Sequence, residues 1–268
     1  MHITEKIEQL THILASLERV TVAVSGGVDS MTLAYLAHQT LGNKATMAHA
    51  VSPAVPRNDT QRIENYTQEL GWNLRLVQTG EIALREYREN PVNRCYYCKN
   101  CLYTTLNALK TGQVISGTNV DDLGDFRPGL IAAQEHHVRH PYVEADIDKK
   151  TLRAIATHLG LKQLANLPAS PCLASRVETG IIIQPPQLEV INQIENLVRQ
   201  QVMTDNIRCR ITARQLVIQI DQPALTTLAE AQISNMQTAI IDTAKHAGLM
   251  LPVIFAPYQR GSAFIKDN

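Results

Sequence analysis

The sequence predicts an α/β protein, with a parallel-sheet domain over residues 1–180 and a smaller α+β domain over 181–268. Three observations carry this. Short apolar runs alternate with helical patterns through most of the chain, the order that builds a parallel sheet covered on both faces. A glycine turn directly follows the first apolar run. After about residue 180 the order changes to helix, strand, strand, helix, strand.

Residues 3–18 carry Ile3, Ile7, Leu10, Ile13, Leu14 and Leu17, an apolar stripe of helical period. VTVAV (20–24) reads as a short buried strand, and a second helical pattern opens near Asp29. KATMAHAV (44–51) is the next strand. Residues 57–70 are polar and helical and stop at Gly71. NLRLVQT (73–79) alternates as a strand does, and QVISGT (113–118) is a further short strand. A helix over 147–160 closes at Gly160. Pro185 and Pro186 open a helix to about 200, since proline suits a first turn. IRCRIT and QLVIQI, within 207–220, read as two strands around a tight turn near Ala213 and Arg214. One helix fills 222–247, and MLPVIFA is the last strand.

Hydrophobic residues make up 44% of the chain and charged ones 19%, the balance of an apolar core with a polar surface. The 25 basic and 25 acidic residues cancel, so no bulk charge draws the chain onto nucleic acid. No apolar run is long enough to span a bilayer. The opening MHITEKIEQL has no basic segment followed by an apolar one, so the expectation is a cytoplasmic, reducing compartment. Five cysteines there point to metal binding or catalysis before disulfides.

VAVSGGVDS (22–30) joins a strand, a glycine turn and a helix start. Gly26 and Gly27 allow backbone conformations that other residues avoid, so amide N–H groups can converge on an anion at the helix N-terminus. Ser25 and Ser30 add hydroxyls. The loop has no Walker A signature. On its own it also fits an ordinary βα connection. SGTNVDDLGDFRPG (116–129) follows a strand and gathers Asp121, Asp122 and Asp125 with Arg127. Acids at the C-terminal end of a parallel strand suit Mg²⁺ or substrate positioning, and by composition alone also suit a solvated loop. In PASPCLASRVETG (168–180), Arg176 follows Cys172 by four residues, a cation that favours a thiolate. NRCYYCKNC (93–101) spaces Cys95, Cys98 and Cys101 three apart. These fit small buried residues of a helix face as well as ligands.

SGGVDS after a buried strand resembles the pyrophosphate loop of the PP-loop ATP pyrophosphatases, an adenine-nucleotide-binding superfamily. With NRCYYCK, GTNVDDLGDFRPGL and PCLASR in the same order, the chain resembles the LarE family over most of residues 15–180. QRGSAF (259–264) resembles that family's closing segment. LarE proteins are sulfur transferases of nickel-pincer nucleotide biosynthesis. The resemblance implies that ATP activates a carboxylate of pyridinium-3,5-biscarboxylic acid mononucleotide, and that the acyl-adenylate becomes a thiocarboxylate. It implies that Ser25, Gly26, Gly27, Asp29 and Ser30 hold the ATP phosphates and magnesium; Asp122, from the acidic cluster, is a further candidate to act through Mg²⁺. It also implies a homo-oligomer.

The family divides at its cysteines. In some members a single cysteine, at the position of Cys172 here, gives up its own sulfur, and the protein turns over once. Others add a CxxC and hold a 4Fe–4S cluster on three thiolates. This chain has the CxxC, so the resemblance implies Cys95, Cys98 and Cys172 as cluster ligands, with one iron open for sulfide. Zinc on the same thiols is a third reading. Cys101 departs from the family pattern, as a small helix residue, a spare thiol or a substitute for Cys98. Cys209, on a strand far from the motifs, reads as structural.

Cys172, Asp29 and Arg176 are the catalytic candidates, as a thiolate, a magnesium helper and a donor to developing negative charge. Arg127 and Arg260 are candidates to clamp the substrate's phosphate, since arginine suits bidentate phosphate recognition. His136, His137 and His140 read as a solvated surface run, and Trp72 as a core residue. Two rivals remain. A tRNA thiolation enzyme is opposed by the neutral charge balance. A non-catalytic nucleotide-sensing or sulfur-carrier protein would bind ATP without turnover.

Overall fold

Apolar runs become strands and the stripes between them become helices. The computed structural model describes residues 3–124, 127–259 and 261–263. In chain order the elements are α1 (Ile3–Ser16), β1 (Val20–Ala23), α2 (Val28–Leu41), β2 (Ala45–Ala50), α3 (Arg57–Leu70), β3 (Asn73–Val77), α4 (Arg85–Arg88), α5 (Arg94–Ala108), β4 (Gln113–Ser116), α6 (Gly129–Glu135), α7 (Pro141–Glu144), α8 (Lys149–His158), α9 (Lys162–Ala165), α10 (Pro185–Arg199), β5 (Ile207–Ile211), β6 (Leu216–Ile220), α11 (Gln222–Thr227), α12 (Glu230–Lys245) and β7 (Val253–Pro257). They form two compact units. The first is Met1–Glu81 with Cys95–Ala169, and the second is Ile82–Arg94 with Ser170–Asn268.

The first unit is built on a parallel sheet of order β3-β2-β1-β4. β1 is paired on both sides, Val22 lying opposite Met47 and Ile115. Successive strand residues face opposite ways. Met47 and Ile115 therefore join one apolar layer with Leu10, Leu14, Leu33 and Leu152. Ala48 and Val114 join another with Tyr103, Leu106 and Ala132. A strand buried on both faces has no room for a polar stripe, which is why β1 reads as an apolar run. Trp72 packs in the first layer beside Tyr66, a core residue as expected. β1, β2 and β3 step outward in one direction, and β4 returns to the other side of β1. Open parallel sheets bind ligands beyond their strand ends at such a reversal.

In the second unit β5 and β6 form an antiparallel hairpin, and β7 adds parallel to β6. Thr212 closes the hairpin, its N–H donating to the Gln215 carbonyl at 3.1 Å. Leu188, Ile191 and Ile194 of α10, Ile218 and Ile220 of β6, and Met236 and Ile240 of α12 are buried. Residues 82–94 belong here through Asn90, whose side chain donates to the Glu178 carbonyl at 2.8 Å. The single helix expected over 222–247 is two. Leu228 and Ala229 are extended between α11 and α12. The Thr226 and Thr227 hydroxyls bond back to the Pro223 and Ala224 carbonyls, which ends α11. The Gln232 side chain accepts the Ala229 N–H at 2.9 Å and restarts the helix as α12. No helix among the described residues is long and apolar enough to cross a membrane.

Candidate active site

Residues 24–27 make the whole connection from β1 to α2. Ser30, in the first turn of α2, closes it. Its hydroxyl accepts the Ser25 N–H at 3.0 Å, lies 3.1 Å from the Ser25 hydroxyl and donates to the Gly27 carbonyl at 3.2 Å. Gly26 has φ +85°, and a Cβ on it would lie 2.7 Å from the Cβ of Asp59. Conformation and space both demand glycine there. Gly27 has φ −80°, so its backbone is ordinary and the special conformation belongs to Gly26 alone. The loop ends at a helix N-terminus, where unpaired N–H groups and the helix dipole favour an anion.

Asp29 sits in that first turn and is held by three partners. The Tyr142 hydroxyl, buried in α7, donates to its carbonyl at 3.0 Å. The Asn119 amide donates to Oδ1 at 3.2 Å, and the Lys149 ammonium pairs with Oδ2. Lys149 is aimed by the start of α8, which is capped twice. Asp148 accepts the Thr151 N–H at 2.7 Å, and Asp121 accepts the Lys149 N–H at 3.0 Å. The end of β4 closes on the same turn, since a Cβ on Gly117 would lie 2.9 Å from the Ser30 nitrogen. Asp122 accepts the Asn119 N–H at 3.1 Å and pairs with Arg127 at 2.6 Å. Arg127 is thus tied to the acidic loop. Asp125 and Arg260 lie outside the described residues.

Cys95, Cys98 and Cys101 lie one turn apart on α5, all half-buried and none in a disulfide. Six residues of helix rise about 9 Å, so the three thiols are spread along the helix. Burial, with the Glu81 carboxylate adding to it, pushes the Cys101 thiol up. Among the described residues no three His, Cys, Asp or Glu side chains are gathered so as to hold a metal ion. Within the histidine run, His136 contacts Asn100 at 2.7 Å and His140 is half-buried with Nδ1 2.9 Å from the Ser116 hydroxyl. His140 is therefore part of the β4 end and not a solvated side chain. Burial lowers its pKa, against the pull of Glu144 and Asp122.

Cys172 belongs to the second unit, where it is half-buried just before the turn 173–176. Its carbonyl accepts from the Ser175 N–H at 3.0 Å, the Ser175 hydroxyl at 2.7 Å and Arg176 at 3.1 Å. Arg176 also donates to the Pro171 carbonyl at 2.5 Å and makes a bidentate pair with Glu195 at 2.8 and 3.0 Å. Arg176 and Glu195 are 2% and 5% exposed. Burial pulls the Arg176 pKa down, but Glu195 raises it further. Arg208 and Arg210 are buried as well, and both pKa values are lowered, first by burial and then by Arg176. Arg210 donates to Gln219 at 2.6 Å, and Arg208 lies over the Tyr258 ring. Cys209, between them, is buried, and burial pushes its thiol far up.

No sequence motif marks Tyr142, Asn119, Lys149, Glu195, Arg208 or Arg210. Only the arginine pair left a signal, since residues two apart share a strand face.

A parallel sheet reversing at β1 and β4, a glycine turn closed by two serines and an acid in the helix's first turn together define a PP-loop nucleotide-binding domain. The NAD synthase family model matches residues 2–93. The chain is 40% identical over 199 residues to an uncharacterized protein of Synechocystis, covering 73% of this chain and 74% of that one. It is 30% identical over 195 residues to the pyridinium-3,5-bisthiocarboxylic acid mononucleotide synthase of Lactiplantibacillus plantarum, covering 71% of this chain and 70% of that one. A glutamine-hydrolyzing GMP synthase chain of Methanopyrus kandleri is 26% identical over 220 residues, covering 75% of this chain and 68% of that one. The chain belongs to the LarE family, that of the Lactiplantibacillus plantarum synthase.

Proposed function

We propose that this chain is an ATP-dependent sulfurtransferase. It adenylates a carboxylate of pyridinium-3,5-biscarboxylic acid mononucleotide and converts it to a thiocarboxylate, for nickel-pincer cofactor synthesis. The observation that carries this reading is the carboxylate of Asp29, held by Asn119 and Lys149 at the N-terminus of α2, where a phosphate chain needs a cation beside it.

A substrate carboxylate oxygen attacks the α-phosphorus of ATP in line. The new O–P bond forms as the bond to pyrophosphate breaks, so catalysis is mainly positioning and charge neutralisation. The loop 25–30 holds the departing pyrophosphate. Asp29 and Asp122 would hold Mg²⁺, which neutralises phosphate charge. Lys149 adds a second cation to the same phosphates. In the next step a hydrosulfide sulfur adds to the acyl carbon. AMP leaves with the bonding electrons and one former carboxylate oxygen, and the sulfur's proton passes to solvent.

Cys95, Cys98 and Cys172, half-buried and outside any disulfide, have the donor type of iron–sulfur ligands, though no metal site is gathered among the described residues. A 4Fe–4S cluster on these three would leave one iron open to supply sulfide. Arg176 serves as the cation beside Cys172 that holds its loop. The substrate's phosphate is taken by arginine, with Arg127 and Arg260 as the candidates. The half-exposed Cys172 also favours a second reading, sacrificial donation of its own sulfur.

Pyrophosphate release from ATP, with and without the biscarboxylate mononucleotide, tests the activity. Release that depends on the substrate is expected, and release indifferent to it excludes the reading. Iron and acid-labile sulfide on protein purified without oxygen test the ligands. About four iron per chain, lost in Cys95→Ala, Cys98→Ala and Cys172→Ala, is the expected result. Iron-free protein whose Cys172 loses the mass of hydrogen sulfide on reaction would select sacrificial donation.

A further inference from the structure

The glycine loop is gripped from behind by β2 and α3. Arg62 donates through Nη1 to the Gly26 carbonyl at 2.8 Å and to Asp59 Oδ1 at 2.7 Å. The Asp59 side chain is only 5% exposed, and its Cβ fills the space that Gly26 leaves by having none. His49 of β2 reaches the Val24 carbonyl with Nδ1 at 2.9 Å and Thr60 of α3 with Nε2 at 2.9 Å. The carbonyls on both sides of Ser25 are therefore held by side chains outside the loop.

A trans peptide points its C=O and its N–H in opposite directions. Holding the Gly26 carbonyl toward α3 turns the Gly27 N–H away from α3. Holding the Val24 carbonyl likewise turns the Ser25 N–H, which donates to Ser30. A hydrogen bond from a charged guanidinium is among the stronger ways to fix a peptide plane.

We propose that Arg62 is a positioning residue for the pyrophosphate loop. Through the Gly26 carbonyl it fixes the peptide whose N–H meets the β- and γ-phosphates of ATP, and Asp59 holds its guanidinium in place. The inference rests on the reading of residues 25–30 as the ATP phosphate loop. Arg62 acts on neither the adenosine nor the α-phosphate, and that separates positioning from a general structural role.

Affinities for Mg·ATP, Mg·pyrophosphate and AMP are measured calorimetrically on the full chain, with Arg62→Met, Arg62→Lys and Asp59→Asn. Arg62→Met should weaken Mg·ATP and Mg·pyrophosphate about tenfold and leave AMP unchanged. Arg62→Lys, which keeps the charge but lacks the planar guanidinium that Asp59 orients, should fall between. Asp59→Asn keeps the packing against Gly26 and should move pyrophosphate in the same direction. If Arg62→Met bound Mg·ATP as wild type does, or lost AMP and pyrophosphate equally, the inference would be wrong. Wild type that binds AMP but neither Mg·ATP nor Mg·pyrophosphate would overturn the loop reading, and the inference with it.

Discussion

Lys149 pairs with Asp29 across 120 residues of sequence, its ammonium set against the carboxylate in the first turn of α2. The pair is about a third exposed on the lysine side, so it contributes about 1 kcal/mol or less to stability. On the proposed reading of residues 25–30 as the ATP phosphate loop, its value lies in placing a cation where phosphate charge arrives.

Lys149→Met should therefore leave thermal stability nearly unchanged and lower kcat/KM for substrate-dependent pyrophosphate release by about tenfold or more. Lys149→Arg should recover part of the loss. Steady-state kinetics beside a thermal melt check this. A melt that collapses while kinetics hold would assign Lys149 to the scaffold.

Glu195 is the buried counter-charge of Arg176, and its Oε1 also accepts the Cys209 N–H at 3.0 Å. Glu195→Ala leaves a guanidinium buried without its carboxylate, which costs about 3–5 kcal/mol. Arginine does not escape by losing its proton. Hydrogen exchange should report the loss first at the Cys209 amide of β5. Unchanged protection there would refute it.

Asp221 gives the second unit an acid limit. Thr204 donates to it at 2.6 Å, and the Asn206 N–H and side-chain amide donate at 3.0 and 2.9 Å. Burial would raise its pKa, but these hydrogen bonds more than offset that and lower it. A depressed folded pKa means stability present above the unfolded value of 3.8 and lost as the pH falls through the folded one. Asp221→Asn should flatten the acid limb of the second unit's stability and leave its shape near neutral pH unchanged. An identical acid limb in the variant would contradict this.

Much of the fold is legible because buried strands write continuous apolar runs, as VTVA does in β1. The glycine loop is legible because its residues are neighbours. What joins it from a distance is not. Nothing local distinguishes Lys149 from Lys150, yet only the first meets Asp29. Arg62 lies on a polar helix that reads as solvated, and only the packing of α3 on Gly26 gives it a target. Arg208 and Arg210 sit two apart in β5 and so share a strand face, and the structure buries both. His140 falls in a run that reads as solvated, and its bond to Ser116 leaves it half-buried. The break at Leu228 depends on threonine hydroxyls turning back on their own helix, which an apolar period does not reveal.

The five thiols should separate on alkylation of metal-free, reduced protein. Cys209 is buried with its thiol held far up, so it should react only on unfolding, leaving at most four native adducts. Cys101, pushed up by burial and by Glu81, should react faster as the pH is raised above neutral. Intact mass with peptide mapping reads both. A native adduct at Cys209 would show that the β5 core opens.

The reaction product tests the proposed sulfur transfer most directly. Anaerobically prepared protein is given the biscarboxylate mononucleotide, Mg·ATP and sulfide, and the nucleotide is examined by mass spectrometry. One carboxylate oxygen should be exchanged for sulfur, with one AMP and one pyrophosphate formed per exchange, and none of this in Asp29→Asn. AMP formation with the substrate's mass unchanged, or no consumption of ATP at all, would contradict it.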